Sequence, residues 1–490
     1  MATSSDRPRS LIVPASADKP RILSRADSEA LFKRVVAMTT GGGDTQVSVR
    51  ATWTANLSWG RNRPVSSVKT IEHTVAITRW LNGQVMTTDM DRSDDATLKH
   101  NLQLLEGYLA SLDSKKAFEP LGRQEYLTPT IWNDATYQMT WREISDAARK
   151  SVDPVVAAKM VAKGHVEISA VSWAIFNTRG LEAYSTATGA LYMGTVFMPD
   201  GNGAGAAGKS HYDWSKLDVT ALAGLAIQKC RDSANPVKVE PGRYTAILEP
   251  EAVKTLVDMA LNYNDNNRGE AEENNKNPYN LSRGESKIGQ RIFDSRITIT
   301  SDPMDPECGY IPFDPEGFPY RKVTWVENGV LKELAYNREY AREKLGTDIW
   351  LPNPMAYRVS GGDTSIDEMI ATTERGIYVT MFAPGSVWQE DDKSMSLIGS
   401  TRYGLWLVEH GKIVHPIMNL WIYESPLIVL NQVEQIGPAV RTVGAALLTE
   451  GTNTVQRDLP SESLSGGHAP FVAPPMKVRD FNFTRLIDAV

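Results

Sequence analysis

The stretch of the chain closest to a known chemical device is Gly203-Ala204-Gly205-Ala206-Ala207-Gly208-Lys209-Ser210. It satisfies G-x-x-x-x-G-K-S, in which backbone N–H groups and the lysine cradle phosphates and the serine ligates magnesium. A strand expected over residues 191–198 supplies the preceding element. The residues on the C-terminal side do not fit. A helix should begin at Lys209-Ser210 with apolar residues, yet His211-Tyr212-Asp213-Trp214-Ser215 stands there, and Ser215 is the better helix cap. The flanking strands read as hairpins rather than βαβ units, and no apolar strand ending in Asp offers a magnesium partner. Gly203, Gly208, Lys209 and Ser210 are thus a weak nucleotide-loop candidate, and a flexible Gly/Ala loop is the favoured reading.

Metal chemistry finds less support. His410 and His415 flank Gly411-Lys412, but Glu409-His410-Gly411-Lys412 reads as a hairpin turn. His73, His100, His165, His211 and His468 each lack a second ligand at i+3 or i+4. Asp302, Asp305, Glu307, Asp314 and Glu316 alternate with Pro and Gly and read as rigid turns; the spacing of an EF-hand is absent. No G-x-S-x-G occurs. Cys230 and Cys308, the only cysteines, form no CxxC pair and fit a reducing compartment.

The elements that must position these residues occupy 490 residues, enough for roughly two to four domains. Apolar residues at 41% and charged residues at 23% are those of an ordinary globular chain. A net charge of −7 disfavours a general affinity for nucleic acid or an anionic membrane, so neither is expected as a partner. Residues 1–22 read as a flexible tail whose apolar run, Leu11-Ile12-Val13, is too short for a signal-peptide core. The densest apolar stretch, 403–423, is broken by Glu409, His410, Lys412 and His415, which leaves no spanning helix. A cytoplasmic protein is the expectation.

The periodicity predicts an α+β protein. A helix from Asp27 ends at Gly41-Gly42-Gly43. Alternating strands come next over 46–50 and 52–57, then a hairpin on Asn82-Gly83. Helical period returns over 94–112 and over 145–163, interrupted near Pro154. Strands are expected over 165–176, 181–186 and 190–198, and a helix over 217–230. The character changes near Asn235-Pro236, which places a boundary between an N-terminal α+β domain (23–235) and a C-terminal β-rich domain (236–490). In the latter a strand over 237–248 precedes a helix over 249–263. Residues 264–285, with seven Asn, read as a mobile loop. Strands are expected over 291–300, 320–327, 377–382, 403–408, 412–418 and 476–483, the last after a loop over 450–475.

Several segments of the second half, in order, resemble the TldD/PmbA family. They are Pro241-Gly242-Arg243-Tyr244 through Pro250-Glu251-Ala252, then Gly289-Gln290-Arg291-Ile292-Phe293-Asp294, then Phe313-Asp314-Pro315-Glu316-Gly317-Phe318-Pro319. Gly329-Val330-Leu331, Gly376-Ile377-Tyr378-Val379-Thr380 and Glu409-His410-Gly411-Lys412-Ile413 complete the series. The resemblance implies an N-terminal domain of antiparallel hairpins and helices and a C-terminal domain of TldD/PmbA type. It also implies a place in metalloproteases built from two related subunits. The TldD-type subunit carries H-E-x-x-x-H on the helix after the strand that corresponds to 243–248. The two imidazoles of that motif can hold zinc while its glutamate activates water. Here Val257, Asp258 and Asn262 stand at those positions, and no histidine lies between His211 and His410. The resemblance therefore implies a TldE/PmbA-like subunit with no catalytic residues, metal ligands or cofactor of its own. Zinc is expected in a TldD-like partner, with which it would cleave unfolded peptides in an enclosed cavity. The alternatives are a self-sufficient hydrolase of the same family, a nucleotide-binding protein using residues 203–210, and a binding protein that has left proteolysis.

Overall fold

The computed structural model describes residues 22–112, 118–262, 268–273, 277–282, 284–383, 388–391, 393–443 and 470–487. The expected tail, but for Ile22, and most of the expected 450–475 loop lie outside the described residues.

Helix α1 (Arg25–Met38) starts at a capping box between Ser24 and Asp27. Three long strands come after it: β1 (Asp44–Gly60), β2 (Arg63–Leu81) and β3 (Gln84–Met90). Asn82 and Gly83 join β2 to β3 with φ of +54° and +73°, the conformation that makes Asn-Gly the preferred two-residue hairpin turn. Helices α2 (Asp95–Ser111), α3 (Asp134–Tyr137) and α4 (Trp141–Ala157) lead into β4 (Val161–Asn177), β5 (Glu182–Phe197), β6 (Ala204–His211) and α5 (Val219–Asp232). The six strands form one antiparallel sheet in the order β3-β2-β1-β4-β5-β6.

Alternation along β1 explains how this sheet is covered. Val47, Val49, Trp53 and Ala55 share one face. Val47 and Val49 pack against Leu31 and Val35 of α1 and Leu98, Leu102 and Leu105 of α2. Farther along, Trp53 and Ala55 pack with Ile144 and Ala147 of α4 and Ala226 and Ile227 of α5. Strands β4 and β5 are buried on both faces, because Val171, Trp173 and Ile175 on the opposite side meet Ile311 and Phe313 of the second half. The expected breaks at residue 51 and between 186 and 190 are absent: both segments run as unbroken strands. The helix expected to reach residue 163 ends at Ala157, where Lys159 turns at φ +59° into β4.

One polar cluster holds the first sheet to its helices. Arg79, 1% exposed on β2, donates from Nε to Glu106 of α2 at 3.0 Å and from its other nitrogens to Thr45 Oγ1 and to the carbonyls of Thr40, Gly42 and Asp44.

The second half continues through β7 (Gly242–Leu248), α6 (Pro250–Asn262), α7 (Arg268–Glu273), β8 (Asn280–Ser282), β9 (Glu285–Ser286), β10 (Ile299–Ser301), β11 (Val323–Glu327) and β12 (Val330–Leu331). Next come α8 (Arg338–Lys344), β13 (Tyr357–Val359), α9 (Ile366–Ala371), β14 (Arg375–Phe382), β15 (Trp388–Asp391), β16 (Ser396–Glu409) and β17 (Lys412–Pro416). The last are β18 (Leu420–Glu424), α10 (Pro426–Val429), β19 (Val433–Ile436), β20 (Val440–Arg441), β21 (Phe471–Ala473) and β22 (Met476–Leu486). A six-stranded sheet runs β12-β11-β10-β13-β21-β20, and an eight-stranded sheet is built on β14-β7-β22-β18-β16-β15 with β17 and β19 attached. Both are mostly antiparallel; β7 with β14 and β13 with β21 pair in parallel. The core combines Val253 and Val257 of α6 with Ile299, Val326 and Val359 of one sheet and Ala246, Ile377 and Val478 of the other.

Two expectations for this half are corrected. Residues 264–285 are not simply a mobile loop, since the described part contains α7 and the β8–β9 pair. Its asparagines serve buried backbone. The Asn280 amide donates to the Ala271 carbonyl at 2.7 Å, and Asn277 Oδ1 accepts the Tyr279 N–H at 2.8 Å. Residues 263–267, 274–276 and 283 lie outside the described residues. The expected strand over 291–300 is a strand only at its end, β10. Asp294 accepts the N–H of Arg296 and bonds its guanidinium, which folds that segment into a turn.

Candidate functional site

Helix α6 occupies the place where the resemblance puts the zinc motif. Strand β7 delivers it with Ile247 and Leu248 fully buried, and the Glu249 N–H bonds to the Val379 carbonyl of β14. Ala252, Val253, Leu256, Val257 and Ala260 have no exposure, so this apolar face is sealed in the core. Val257, at the first motif position, is one of these core residues. Asp258 is half-buried, and its charge adds to burial in raising the pKa of the fully buried Tyr357. Asn262 ends α6, and its side chain lies outside the described residues. Among the described residues no three His, Cys, Asp or Glu side chains converge to hold a metal ion. The residues at this position do not fit the zinc that the fold family implies.

The start of α6 carries charge instead. Lys229 of α5 donates to both oxygens of Glu249 at 2.7 and 2.9 Å, and the Tyr378 hydroxyl donates to the same carboxylate. Burial, reinforced by Glu249, pushes the Tyr378 phenol up. Glu251 accepts the N–H of Val443; burial raises its carboxyl, and the charge of Lys254 opposes that rise. Lys254 is itself 3% exposed. These contacts tie α5, α6 and β14 together, and both oxygens of Glu249 are taken by Lys229 and Tyr378.

Residues 203–210 form no phosphate loop. All but Gly203 lie in β6, whose backbone pairs with β5 in register from Phe197–Ala204 to Ala190–His211. The expected flexible loop is likewise absent. The glycines serve close packing. A Cβ on Gly205 would come within 2.4 Å of the Ala226 oxygen and the Cys230 nitrogen of α5, and one on Gly208 within 2.7 Å of Met193 and the Tyr192 carbonyl. A Cβ on Gly203 would lie 2.7 Å from the Cys230 carbonyl. Gly203 and Gly205 therefore let α5 lie against an edge strand, while Gly208 makes room for β5. Ser215 is not the helix cap: Asp213 accepts its N–H in a single 3₁₀ turn, and Asp218 caps α5.

The two strand histidines do not cooperate. His410 sits in the β16–β17 turn at φ +49° and bonds Glu374 at 2.5 Å in an exposed position. His415 lies opposite Leu407 and is exposed.

The acidic segment is a set of turns. Asp305 accepts the N–H groups of Glu307 and Cys308 and pairs with Arg358 at 2.5 and 2.7 Å. Burial works to raise its carboxyl, but Arg358 and the two N–H groups hold it down at about 2. Asp314, 3% exposed, accepts the N–H groups of Glu316 and Phe318 and the indole N–H of Trp350. Here burial wins and raises the carboxyl to about 6. A raised folded-state pKa gives stability that is complete below about 4 and lost as pH rises through about 6. Asp314 thus accounts for a loss of about 3 kcal/mol across that window. Asp314→Asn keeps one acceptor oxygen for the Glu316 and Phe318 N–H groups, gives up the bond from Trp350, and does not titrate. Denaturation midpoints measured along this pH range should fall less with rising pH in Asp314→Asn than in the wild type.

Residues 241–485 match the family model of the PmbA/TldA metallopeptidase C-terminal domain. A metalloprotease of Methanocaldococcus jannaschii is 24% identical over 261 residues, which cover 50% of this chain and 55% of the relative. A metalloprotease TldD homolog of Buchnera aphidicola is 28% identical over 238 residues, 46% of this chain and 45% of the relative. The alignments thus span about half the length of these curated relatives. The structure of TldE from Thermococcus kodakarensis superposes with a TM-score of 0.75 at 14% identity, covering 93% of this chain and 99% of that one. A Thermotoga maritima protein, described as a candidate modulator of a DNA gyrase, superposes at 0.77 with 19% identity, covering 93% and 100%. These two show a shared fold. The protein belongs to the TldD/PmbA family of metallopeptidases. Among the described residues no helix is long and apolar enough to cross a membrane.

Proposed function

We propose that this chain is the TldE/PmbA-like subunit of a two-subunit metallopeptidase. It pairs with a TldD-like subunit that carries H-E-x-x-x-H and zinc, and the pair cleaves unfolded or flexible peptides within an enclosed cavity. The observation that carries this reading is Val257. It has no exposure and is packed into the core shared by both C-terminal sheets. With a valine at its first motif position, packed into the core, this helix has no imidazole there to offer a metal. This chain's contribution is then cavity wall, partner interface and substrate positioning. An extended substrate can add to a sheet edge through main-chain hydrogen bonds, which favours unfolded over folded chains. The buried, unpaired Cys230 and Cys308 accord with a cytoplasmic setting.

Co-expression with a TldD-like homologue tests the partnership. The two chains are expected to co-purify in equal amounts, with zinc bound at about one per pair and removed by substituting the partner's motif histidines. A lone chain that fails to associate, or that carries stoichiometric zinc, would contradict the reading.

A further inference from the structure

The first sheet leaves a length of main chain open beside a cavity. Strand β3 pairs with β2 only over residues 75–81. Residues 63–74 of β2 therefore have β1 on one side and, among the described residues, no strand on the other. Asn82 and Gly83 form a two-residue turn, in which Leu81 and Gln84 bond each other. The alternation that follows aims the backbone groups of Leu81, Arg79, Ile77 and Val75 at β3. Continued along β2, it aims those of Ile71, Lys69 and Ser67 outward at the open edge.

The side chains of the same residues share a face with α4. In the β1–β2 register Ile71, Lys69 and Ser67 stand opposite Trp53, Ala55 and Leu57, and Trp53 and Ala55 pack with Ile144 of α4. A cavity of about 190 Å³ lies there. Trp53, Ala55 and Ile144, each 1% exposed, form its floor, and the exposed Ser67, Lys69 and Trp141 form its mouth. The cavity thus opens at the free edge of β2. An apolar cavity of roughly 150 Å³ takes a benzene ring, so this one has room for the side chain of Leu, Met or Phe. The edge is also basic. Residues 61–71 carry Arg61, Arg63 and Lys69 and no carboxylate, in a chain of net charge −7. None of these cations forms an ion pair among the described residues.

We propose that the open edge of β2 and this cavity form a peptide-binding site. An extended, unfolded segment adds beside residues 67–71 as a further strand, about 4.8 Å beyond β2. Its alternate side chains then lie on the face where the cavity opens. One large apolar side chain fills the cavity, and an acidic residue lies near Lys69. A small apolar molecule would leave the open backbone groups unused. A second copy of this chain, paired edge to edge, would set like charges against one another. The choice of an unfolded peptide rests on the function proposed above.

The test uses the purified full-length chain and short unstructured peptides by calorimetry. The parent peptide carries one Phe, with Glu at the next position on the same face, in a Ser/Thr background. It should bind at least about tenfold more tightly than a version with Gly for Phe, and several-fold more tightly than one with Gln for Glu. N-methylation of one alternate set of its backbone nitrogens should abolish binding, and methylation of the other set should weaken it far less. Trp141→Ala should shrink the advantage of Phe over Gly, and Lys69→Glu should remove that of Glu over Gln. Each is a difference between two peptides, which a general loss of fold does not imitate. In hydrogen exchange the Ser67, Lys69 and Ile71 amides should be unprotected in the free chain and protected by the parent peptide. Equal binding of the Phe and Gly peptides, equal effects of the two methylation patterns or no binding of any peptide would overturn the proposal. So would a Phe advantage untouched by Trp141→Ala. Protection of those amides without peptide would give the edge to a second copy or to another part of this chain, and would also overturn it. None of these readings needs a partner, so a failure to co-purify with a TldD-like chain is a separate result.

Discussion

Arg79→Met should lower the stability of the first sheet by about 3–5 kcal/mol, the range for breaking a buried ion pair from one side. The substitution strands Glu106 in the interior, where its side chain is only 9% exposed. It also removes the donors that hold the Thr40, Gly42 and Asp44 carbonyls, the segment between α1 and β1. The pair Arg79→Met and Glu106→Leu together should recover part of the loss, since an apolar pair leaves no unpaired charge. In thermal unfolding, the first transition of the single variant should fall by roughly 6–20 °C. An unchanged transition would mean that this cluster contributes no more than a surface pair.

The second large effect falls outside this chain. In the reconstituted pair, substituting a motif histidine of the TldD-like partner should remove the several kcal/mol of transition-state stabilisation that a zinc centre supplies. That is a loss of roughly a thousandfold or more in peptide cleavage. On the proposed reading Asp258, at the motif's glutamate position in this chain, behaves differently. Asp258→Ala should leave cleavage within about twofold, because without metal the carboxylate has no water to activate. A loss at Asp258 comparable with that at the partner's histidines would show that this carboxylate takes part in the reaction.

The sequence was most legible where local chemistry alone decides the structure. Asn82-Gly83 and His410-Gly411 name their own hairpins because both residues of each turn adopt positive φ. The alternation of β1 is equally plain, since one face is buried and the other only partly. Legibility fails where distant packing decides. Gly205 and Gly208 read as a phosphate loop or a flexible loop because spacing alone cannot show that α5 and β5 pack against them. The segment over 291–300 has the apolar content of a strand, but the Asp294–Arg296 bonds override it. The asparagines of 264–285 suggest looseness, yet Asn277 and Asn280 are spent on buried carbonyl and N–H groups.

The site was readable in the same uneven way. The loss of histidine from α6 is written in the residue types at 257, 258 and 262. That Val257 is a core residue needed the two C-terminal sheets to be placed around it. Ser210 drew notice through a motif it does not serve. Nothing local joins Lys69 to Trp141, which line one cavity only because α4 packs over the β1–β2 register.

The most direct test of the central claim is peptidase activity on an unfolded peptide, measured for this chain alone and for its complex with a TldD-like subunit, each with and without a chelator. The account predicts no cleavage by the chain alone, and cleavage by the complex that the chelator abolishes. Chelator-sensitive cleavage by the purified chain alone would contradict it, and would place the metal ligands elsewhere in this sequence.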